Sequence, residues 1–294
     1  MRNLGIPTVV DRVIQQAIVQ MLSPIYEEQF SESSYGFRPK RSYEMAIIRS
    51  LELMNDGYDW IVDLDLEKFF DTVNQDKLIG VIMKTVKDGE VVSLIRKFLV
   101  SGVMDNGHYQ PTKIGTPQGD NLSPLLSNIM LNELDKELEA RCLKLVRYAD
   151  DCMIFVKSEK AANRVLTSIT TYIEKKLGLK VNAEKSKVSK PTVIIFLGYG
   201  FWVAKGGKYK PKPHLKSIQK LKRKLKELTC RGWSISLDNR IQKLNYVVRG
   251  WVNYFRIANM KKVLEIIDER LRTRIRVVIW KHWKRIKTRC DALC

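Results

Sequence analysis

The sequence contains no run of about 18 consecutive apolar residues, so no membrane-spanning helix is expected. Its opening residues, MRNLGIPT, lack the apolar core of a secretory signal, which argues against export. Cysteine is sparse: Cys142, Cys152, Cys230, Cys290 and Cys294 are odd in number, scattered, and never spaced as CxxC. That excludes a disulfide frame or a zinc cluster as the organising device and points to reduced thiols in an intracellular setting. The histidines His108, His214 and His282 are isolated, so no Cys/His metal site or HxxH-like nuclease tail is legible. Internal repeats and low-complexity linkers are also missing. With 294 residues, 45% of them hydrophobic, the chain can still bury the core of one large domain or two ordinary ones.

Acidic residues run short in one part only. Residues 1–204 hold 26 basic and 26 acidic side chains, whereas residues 205–294 hold 26 basic and 6 acidic, which is the whole of the +20 net charge. A charge concentrated in the C-terminal third calls for a polyanionic partner there, held by phosphate neutralisation and counterion release.

Thr8 is expected to cap a helix through VVDRVIQQAIVQML, with Val10, Ile14, Ala17, Ile18, Met21 and Leu22 on its apolar face and Ser23-Pro24 as its end. Ser42 opens a second helix whose stripe is Met45, Ile48 and Leu51, stopped by Asp56-Gly57. WIVDLDL alternates as a strand, with Ile61, Asp63 and Asp65 on one face. Helices are expected over about 75–86 and 91–100, and another from the Ser123-Pro124 pair to about Arg141. LKLVRY and CMIFV read as strands of a hairpin whose tip is Ala149-Asp150-Asp151. A helix over 161–177 closes at Gly178, and VIIFLGYGF is a further strand. From Lys212 three apolar stripes follow at helical spacing: Ile218–Leu228, Ile241–Phe255 and Val263–Val278. They are the buried faces of a basic three-helix unit.

Asp150 and Asp151 are adjacent carboxylates at a tight turn, held by apolar strands. Such a pair repels itself unless a proton or a cation intervenes. A third carboxylate, Asp65, sits near the end of a neighbouring strand and would complete a hard-oxygen set suited to Mg²⁺. An acidic turn alone is common and carries no chemistry; it is the order and setting of the surrounding motifs that give these acids a role.

Those motifs resemble reverse transcriptases. Tyr148-Ala149-Asp150-Asp151 matches the YxDD box of the palm hairpin, and Asp65 in WIVDLDLEKFFD matches the first metal-binding aspartate. Phe70 matches the aromatic that blocks a 2′-hydroxyl. GTPQGDNLSP, GLKVNAEKSK and FLGYGF resemble the nucleotide loop, the following lysine motif and the primer-gripping segment. The likeness covers nearly the whole chain. RNLGIPTVVDRVIQQAI, SYGFRPKRS and RGWVNYF draw it toward bacterial group II intron-encoded reverse transcriptase/maturases.

The resemblance implies an α+β fold of the right-hand type, with an antiparallel-sheet palm, partial fingers and a basic three-helix thumb. It divides the chain into partial fingers (1–58), a palm (59–204) with an interleaved finger segment (about 75–118), and a thumb or maturase region (205–294). It implies an RNA-directed DNA polymerase of a mobile group II intron. Two Mg²⁺ ions, with Mn²⁺ as a substitute, would lie on Asp65, Asp150, Asp151 and the Leu66 backbone carbonyl. Phe70, Gln118, Gly119, Lys185 and Arg2 would meet the deoxynucleoside triphosphate. Arg38, Arg41, Tyr148, Gly198, Lys216, Lys220, Arg223, Lys224 and Arg249 would meet nucleic acid. The implied partners are an RNA template with a DNA primer, group II intron RNA and a DNA target, in the bacterial cytoplasm and away from membranes.

The sequence departs from the family pattern in three ways. Relatives carry basic finger strands ahead of RNLGIP, including a triphosphate-binding lysine with no counterpart here, and the chain stops soon after the thumb helices, so a truncated product is expected. Asp120 stands where many relatives have a small residue and adds negative charge beside the nucleotide. Trp251, Tyr254 and Phe255 are spaced for core packing more than for base stacking. Two alternatives stay open: a catalytically silent RNA-binding splicing maturase, and a retron or defence-associated lineage. A nucleotide cyclase on a related palm leaves the basic C-terminal third without a role.

Overall fold

A computed structural model describes residues 5–105, 108–110, 114–116, 119–233 and 235–282. Among these, Cys142, Cys152 and Cys230 are free thiols. No described helix is long and apolar enough to cross a membrane.

Thr8 caps α1 (Val9–Glu27), its Oγ1 accepting from the Asp11 amide at 3.2 Å. The helix does not stop at Ser23-Pro24 but runs through the proline. Pro24 removes one backbone donor. Beyond it, however, Tyr26 is buried and donates its hydroxyl to the Ile82 carbonyl at 3.3 Å, and that packing outweighs the lost bond. The buried face is Gln15, Ile18, Leu22 and Tyr26, while Val10 and Met21 are exposed. Ser42 caps α2 (Tyr43–Asn55) through the Met45 amide. Here too the expected stripe is displaced: Ala46, Ile47, Leu53 and Met54 are buried, and Met45 and Ile48 are exposed.

β1 (Trp60–Leu64) leads through α3 (Phe69–Thr72) to α4 (Gln75–Thr85), capped by Asn74, and α5 (Gly89–Val100), capped by Asp88. A short hairpin, β2 (Val103–Asp105) and β3 (His108–Gln110), precedes α6 (Ser123–Ala140). Ser123 lies inside α6 and does not cap it; Leu122 is the boundary residue, without a side-chain cap. β4 (Lys144–Tyr148) and β5 (Asp151–Val156) form the expected hairpin. α7 (Glu159–Tyr172) continues as a π-helical turn to Leu177, and Gly178 ends it at φ 70°. β6 (Lys187–Ser189) completes a four-stranded antiparallel sheet in the order β4-β5-β1-β6. Ile61, Val62 and Leu64 of β1 are all buried, so this central strand is covered on both faces. α7 packs on β1 and β5, and α6 and α2 pack against β4.

The chain forms two compact units, Met1–Pro191 and Thr192–Cys294. In the second, VIIFLGYGF is not one strand. β7 (Ile195–Phe196) and β8 (Tyr199–Val203) turn back on each other through Leu197-Gly198, at φ 49° and 80°. Two successive left-handed residues make a tight hairpin turn, and the glycine supplies the second without strain. β9 (Tyr209–Pro213) pairs with β8. α8 (Leu215–Leu228), α9 (Leu237–Tyr254) and α10 (Lys261–His282) follow. Ile218, Leu221, Leu225, Leu228, Leu244 and Ile267 form their shared core. Ile241, read as part of that face, is exposed. Phe255 is buried, with Tyr199, Trp251 and Tyr254 within 5 Å ring to ring; these aromatics are core, as their spacing indicated.

Candidate active site

The β4–β5 hairpin pairs Tyr148 with Asp151, leaving Ala149-Asp150 as a two-residue turn. Ala149 takes φ 56°, a left-handed conformation unfavourable by roughly 1–2 kcal/mol for a residue with a Cβ. On the other side of β5, β1 pairs Leu64 with Cys152. One step further along this register sets Asp65 opposite Asp151. The local chain fixes Asp65 in place: its amide donates to Ser186 Oγ at 3.1 Å and its carbonyl accepts from the Asn182 amide at 2.9 Å. Leu66, the proposed backbone ligand, is buried and bridges Val181.

These acids act on one another electrostatically. Asp151 is solvent-accessible on one side, but crowding by protein on the other pushes its carboxyl up to about 6, with Asp150, Asp63 and Asp65 adding and Lys185 opposing. Asp63 is likewise pushed up to about 6, by burial first; Lys187 opposes and Asp65 adds. Among the described residues no group of three or more His, Cys, Asp or Glu side chains is placed to hold a metal ion. The Asp65 carboxylate lies instead 3.5 Å from Lys185 Nζ, a loose pair whose lysine is 64% exposed. The donors are hard oxygens, and a divalent cation would relieve their repulsion, so the residues present fit Mg²⁺.

The nucleotide-side residues divide. Phe70 is half-buried, edge-on to Phe69 at 5.2 Å. Its carbonyl accepts from the Thr116 amide at 2.6 Å, which brings the Gly115-Thr116 pair to it. Gly115 makes that approach possible: at φ 90° it is left-handed, and a Cβ there would stand 2.6 Å from the Phe70 carbonyl oxygen. Gly115→Ala is expected to destabilise the first unit by at least ~1–2 kcal/mol in urea unfolding; an unchanged midpoint would contradict this contact. Lys185 reaches Asp65 from a turn whose Glu184 and Lys185 amides donate to Asn182 Oδ1. Gly119, at φ 110°, is exposed. The Asp120 carboxyl is raised by burial, with Gln15 opposing. Arg2 and Gln118 lie outside the described residues.

The nucleic-acid set also divides. Arg38 does not present a free guanidinium: it is 2% exposed and held by Glu27, at 2.7 Å, and by the Ser34 carbonyl at 2.9 Å. Arg41 is paired with Glu32 and lies over the Tyr35 ring. Tyr148 is half-buried at the hairpin. The Gly198 carbonyl accepts from His214 and Ser217, which ties the tight turn to the start of α8. Lys216, Lys220, Arg223 and Arg249 are exposed, as is Lys224, which pairs with Glu227 at 3.3 Å.

Sequence reasoning missed the polar lattice beneath the hairpin. Arg147, in the middle of β4, donates to Asp135 of α6 through Nε at 2.8 Å and through Nη2 at 2.6 Å. The two side chains are 1% and 0% exposed. The signal was present. An arginine follows the apolar pair Leu145-Val146 in β4, and Asn128, Asn132 and Asp135 recur at i, i+4 and i+7 among the leucines of the buried side of α6.

Residues 1–201 match the sequence model of the family described as Reverse transcriptase (RNA-dependent DNA polymerase). The chain belongs to that family. Residues 218–293 match the model for the group II intron, maturase-specific domain. Protein YkfC of Escherichia coli strain K12 is 31% identical over 284 residues, spanning 82% of this chain and 74% of YkfC. The group II intron-encoded protein LtrA of Lactococcus lactis subsp. cremoris is 32% identical over 275 residues, spanning 71% of this chain but 46% of LtrA. This reverse transcriptase family member thus spans about half the length of that relative. Among solved structures, a telomerase from Candida tropicalis in complex with a TWJ fragment of telomeric RNA superposes with a TM-score of 0.53 at 16% identity, over 96% of this chain and 56% of that one. At such identity the likeness shows the fold alone. The reverse-transcriptase-like α+β fold expected from the sequence is borne out, as is the group II intron resemblance.

Proposed function

We propose that this chain is the RNA-directed DNA polymerase of a mobile group II intron, with its basic C-terminal helices binding intron RNA. The observation that carries the reading is the register of the four-stranded sheet, which seats Asp65 beside the Asp150-Asp151 turn in a chain of this family. On this reading residues 1–58 belong to the fingers, 59–204 to the palm with a finger segment near 75–118, and 205–294 to the thumb.

Asp65, Asp150 and Asp151, with the Leu66 carbonyl, would hold two Mg²⁺ ions, or Mn²⁺ in their place. When bound, these ions lower the barrier to deprotonating the primer 3′-hydroxyl and offset charge on the leaving pyrophosphate. The protein's own part is positioning. β1 and the β4–β5 hairpin keep the three carboxylates on a rigid sheet. Lys185, free to swing from Asp65, offers its ammonium to the triphosphate of a deoxynucleotide. Phe70, pinned by the Gly115–Thr116 loop, stands where a 2′-hydroxyl would be refused. The primer hydroxyl attacks the α-phosphorus, and pyrophosphate departs. The partners are an RNA template with a DNA primer, intron RNA and a DNA target, and the site of action is the bacterial cytoplasm.

Primer extension on an RNA template tests the reading: the wild type should make DNA, and Asp65→Ala and Asp150→Ala should not. RNA binding that survives both substitutions, with no DNA product from the wild type, would favour the silent maturase instead. Phe70→Ala should raise ribonucleotide incorporation by ~10–100-fold relative to deoxyribonucleotide; unchanged sugar selectivity removes the gate role. The triple variant Lys216→Ala/Lys220→Ala/Arg223→Ala should weaken RNA binding and make its log–log salt dependence shallower by about 2, near 0.7 per lost phosphate contact. An unchanged slope in anisotropy titrations would take α8 out of the interface.

A further inference from the structure

The Ala149-Asp150 turn is held from inside by one closed circuit of buried polar groups. Arg147 Nη1 donates to the Ala149 carbonyl at 2.9 Å and to Asn128 Oδ1 at 3.0 Å. Its Nε and Nη2 are spent on Asp135. Asn128 Nδ2 donates in turn to the Gly36 carbonyl at 2.8 Å. Gly36 closes the circuit from behind, because a Cβ there would stand 2.3 Å from the Ala149 amide nitrogen. The segment carrying Gly36 is stitched to β4 by Arg147 N to Ser33 O and Tyr35 N to Arg147 O, both 2.9 Å. Arg147, Asp135 and Asn128 are essentially inaccessible to solvent.

Stability alone is a poor reason for such a pair. Buried ion pairs are often replaceable by apolar residues at no loss. What this one does locally is specific: one Nη1 bond goes to the carbonyl of a left-handed, non-glycine turn residue, next to Asp150. The pairing of Tyr148 with Asp151 demands the turn, and this bond adds the side-chain hold on its strained residue.

We propose that Arg147, oriented by Asp135 and Asn128, is a positioning residue for nucleotidyl transfer: it sets the turn that aims Asp150 and Asp151 at the divalent cation. The proposal deepens the polymerase reading and rests on it. Groups that orient metal ligands typically control metal affinity or activity by 10–100-fold.

The test uses the full chain and two variants. Arg147→Met/Asp135→Leu replaces the pair by apolar residues and removes the donor to Ala149. Arg147→Lys keeps the charge and loses the fork. Folding is followed by circular dichroism melting, template–primer binding by anisotropy, and Mn²⁺ binding by electron paramagnetic resonance, alongside kcat, KM for the nucleotide and the Mg²⁺ dependence of extension. The double variant should fold and bind template–primer within about twofold of wild type. Its Mn²⁺ affinity should fall at least tenfold and its kcat about 100-fold with little change in KM; Arg147→Lys should fall between. Folded variants with wild-type Mn²⁺ affinity and kcat overturn the inference alone. If the double variant does not fold, Arg147→Lys decides by the same criteria. A wild-type chain that neither extends a primer nor binds Mn²⁺ overturns the parent reading with it.

Discussion

Asp150→Asn should lower primer extension by about a thousandfold or more, in proportion to the charge stabilisation a metal site supplies at the reacting phosphate, while template–primer binding stays intact. The structure adds an opposite expectation for stability. The carboxyls at this site lie close enough to repel one another, and that of Asp151 rises from 3.8 to about 6, through crowding first and then through Asp150, Asp63 and Asp65. An acid whose pKa is raised on folding contributes its stability below the unfolded value and loses it as pH climbs through the folded one. In chelator, then, the site strains the fold at pH 7.5 and not at pH 4. Asp151→Asn should raise the melting temperature in EDTA at pH 7.5 and leave it unchanged at pH 4. Saturating Mg²⁺ should stabilise the wild type and leave the variant nearly unmoved. Catalysis lost at Asp150 while stability is gained at its neighbour Asp151 is what separates a metal site from an acidic turn. A melting temperature that falls in EDTA at pH 7.5 would mean that Asp151 is a structural partner.

Asp135→Ala is the second large effect, and it concerns folding. The Arg147 guanidinium would lose its carboxylate while staying buried, a change that costs about 3–5 kcal/mol. Arg147→Met/Asp135→Leu removes both charges and should cost far less, so a double-mutant cycle with Arg147→Met and Asp135→Leu as its single variants should show strong coupling. Urea unfolding followed by circular dichroism reads both. Additive losses would mean the two side chains do not depend on each other, against a geometry in which both Asp135 oxygens lie within 2.9 Å of the guanidinium.

Much of the site was legible because its signals are local. Two apolar strands around Ala149-Asp150-Asp151 announce a hairpin, and β4 and β5 form it. Thr8 and Ser42 cap helices where their hydroxyls said they would. What escaped depends on partners distant in sequence. Pro24 reads as a stop until Tyr26 is seen to pack across to Ile82. Met45 and Ile48 read as a core stripe, yet the surface that covers α2 selects Ala46 and Ile47 instead. FLGYGF reads as a strand because Leu197 gives no sign that it will turn left-handed; Gly198 was the clue. Arg38 is the instructive error. In a glycine- and proline-bearing loop it resembles a phosphate ligand, but Glu27, eleven residues earlier, closes on it across the end of α1. A surface cation and a buried clamp share one sequence signature, and only the chain's return path tells them apart. Arg147 was hidden for the same reason: Asp135 and Asn128, which make its burial tolerable, lie on another element.

The metal pair is tested most directly by locating it. With Fe²⁺ replacing Mg²⁺ in the presence of ascorbate and peroxide, hydroxyl radicals cut the backbone beside the bound ion. Cleavage should map to the segments around Asp65 and around Asp150-Asp151, compete away with excess Mg²⁺, and vanish in Asp150→Asn. Cuts that fall elsewhere, or persist unchanged in that variant, would show that these carboxylates do not hold the ions.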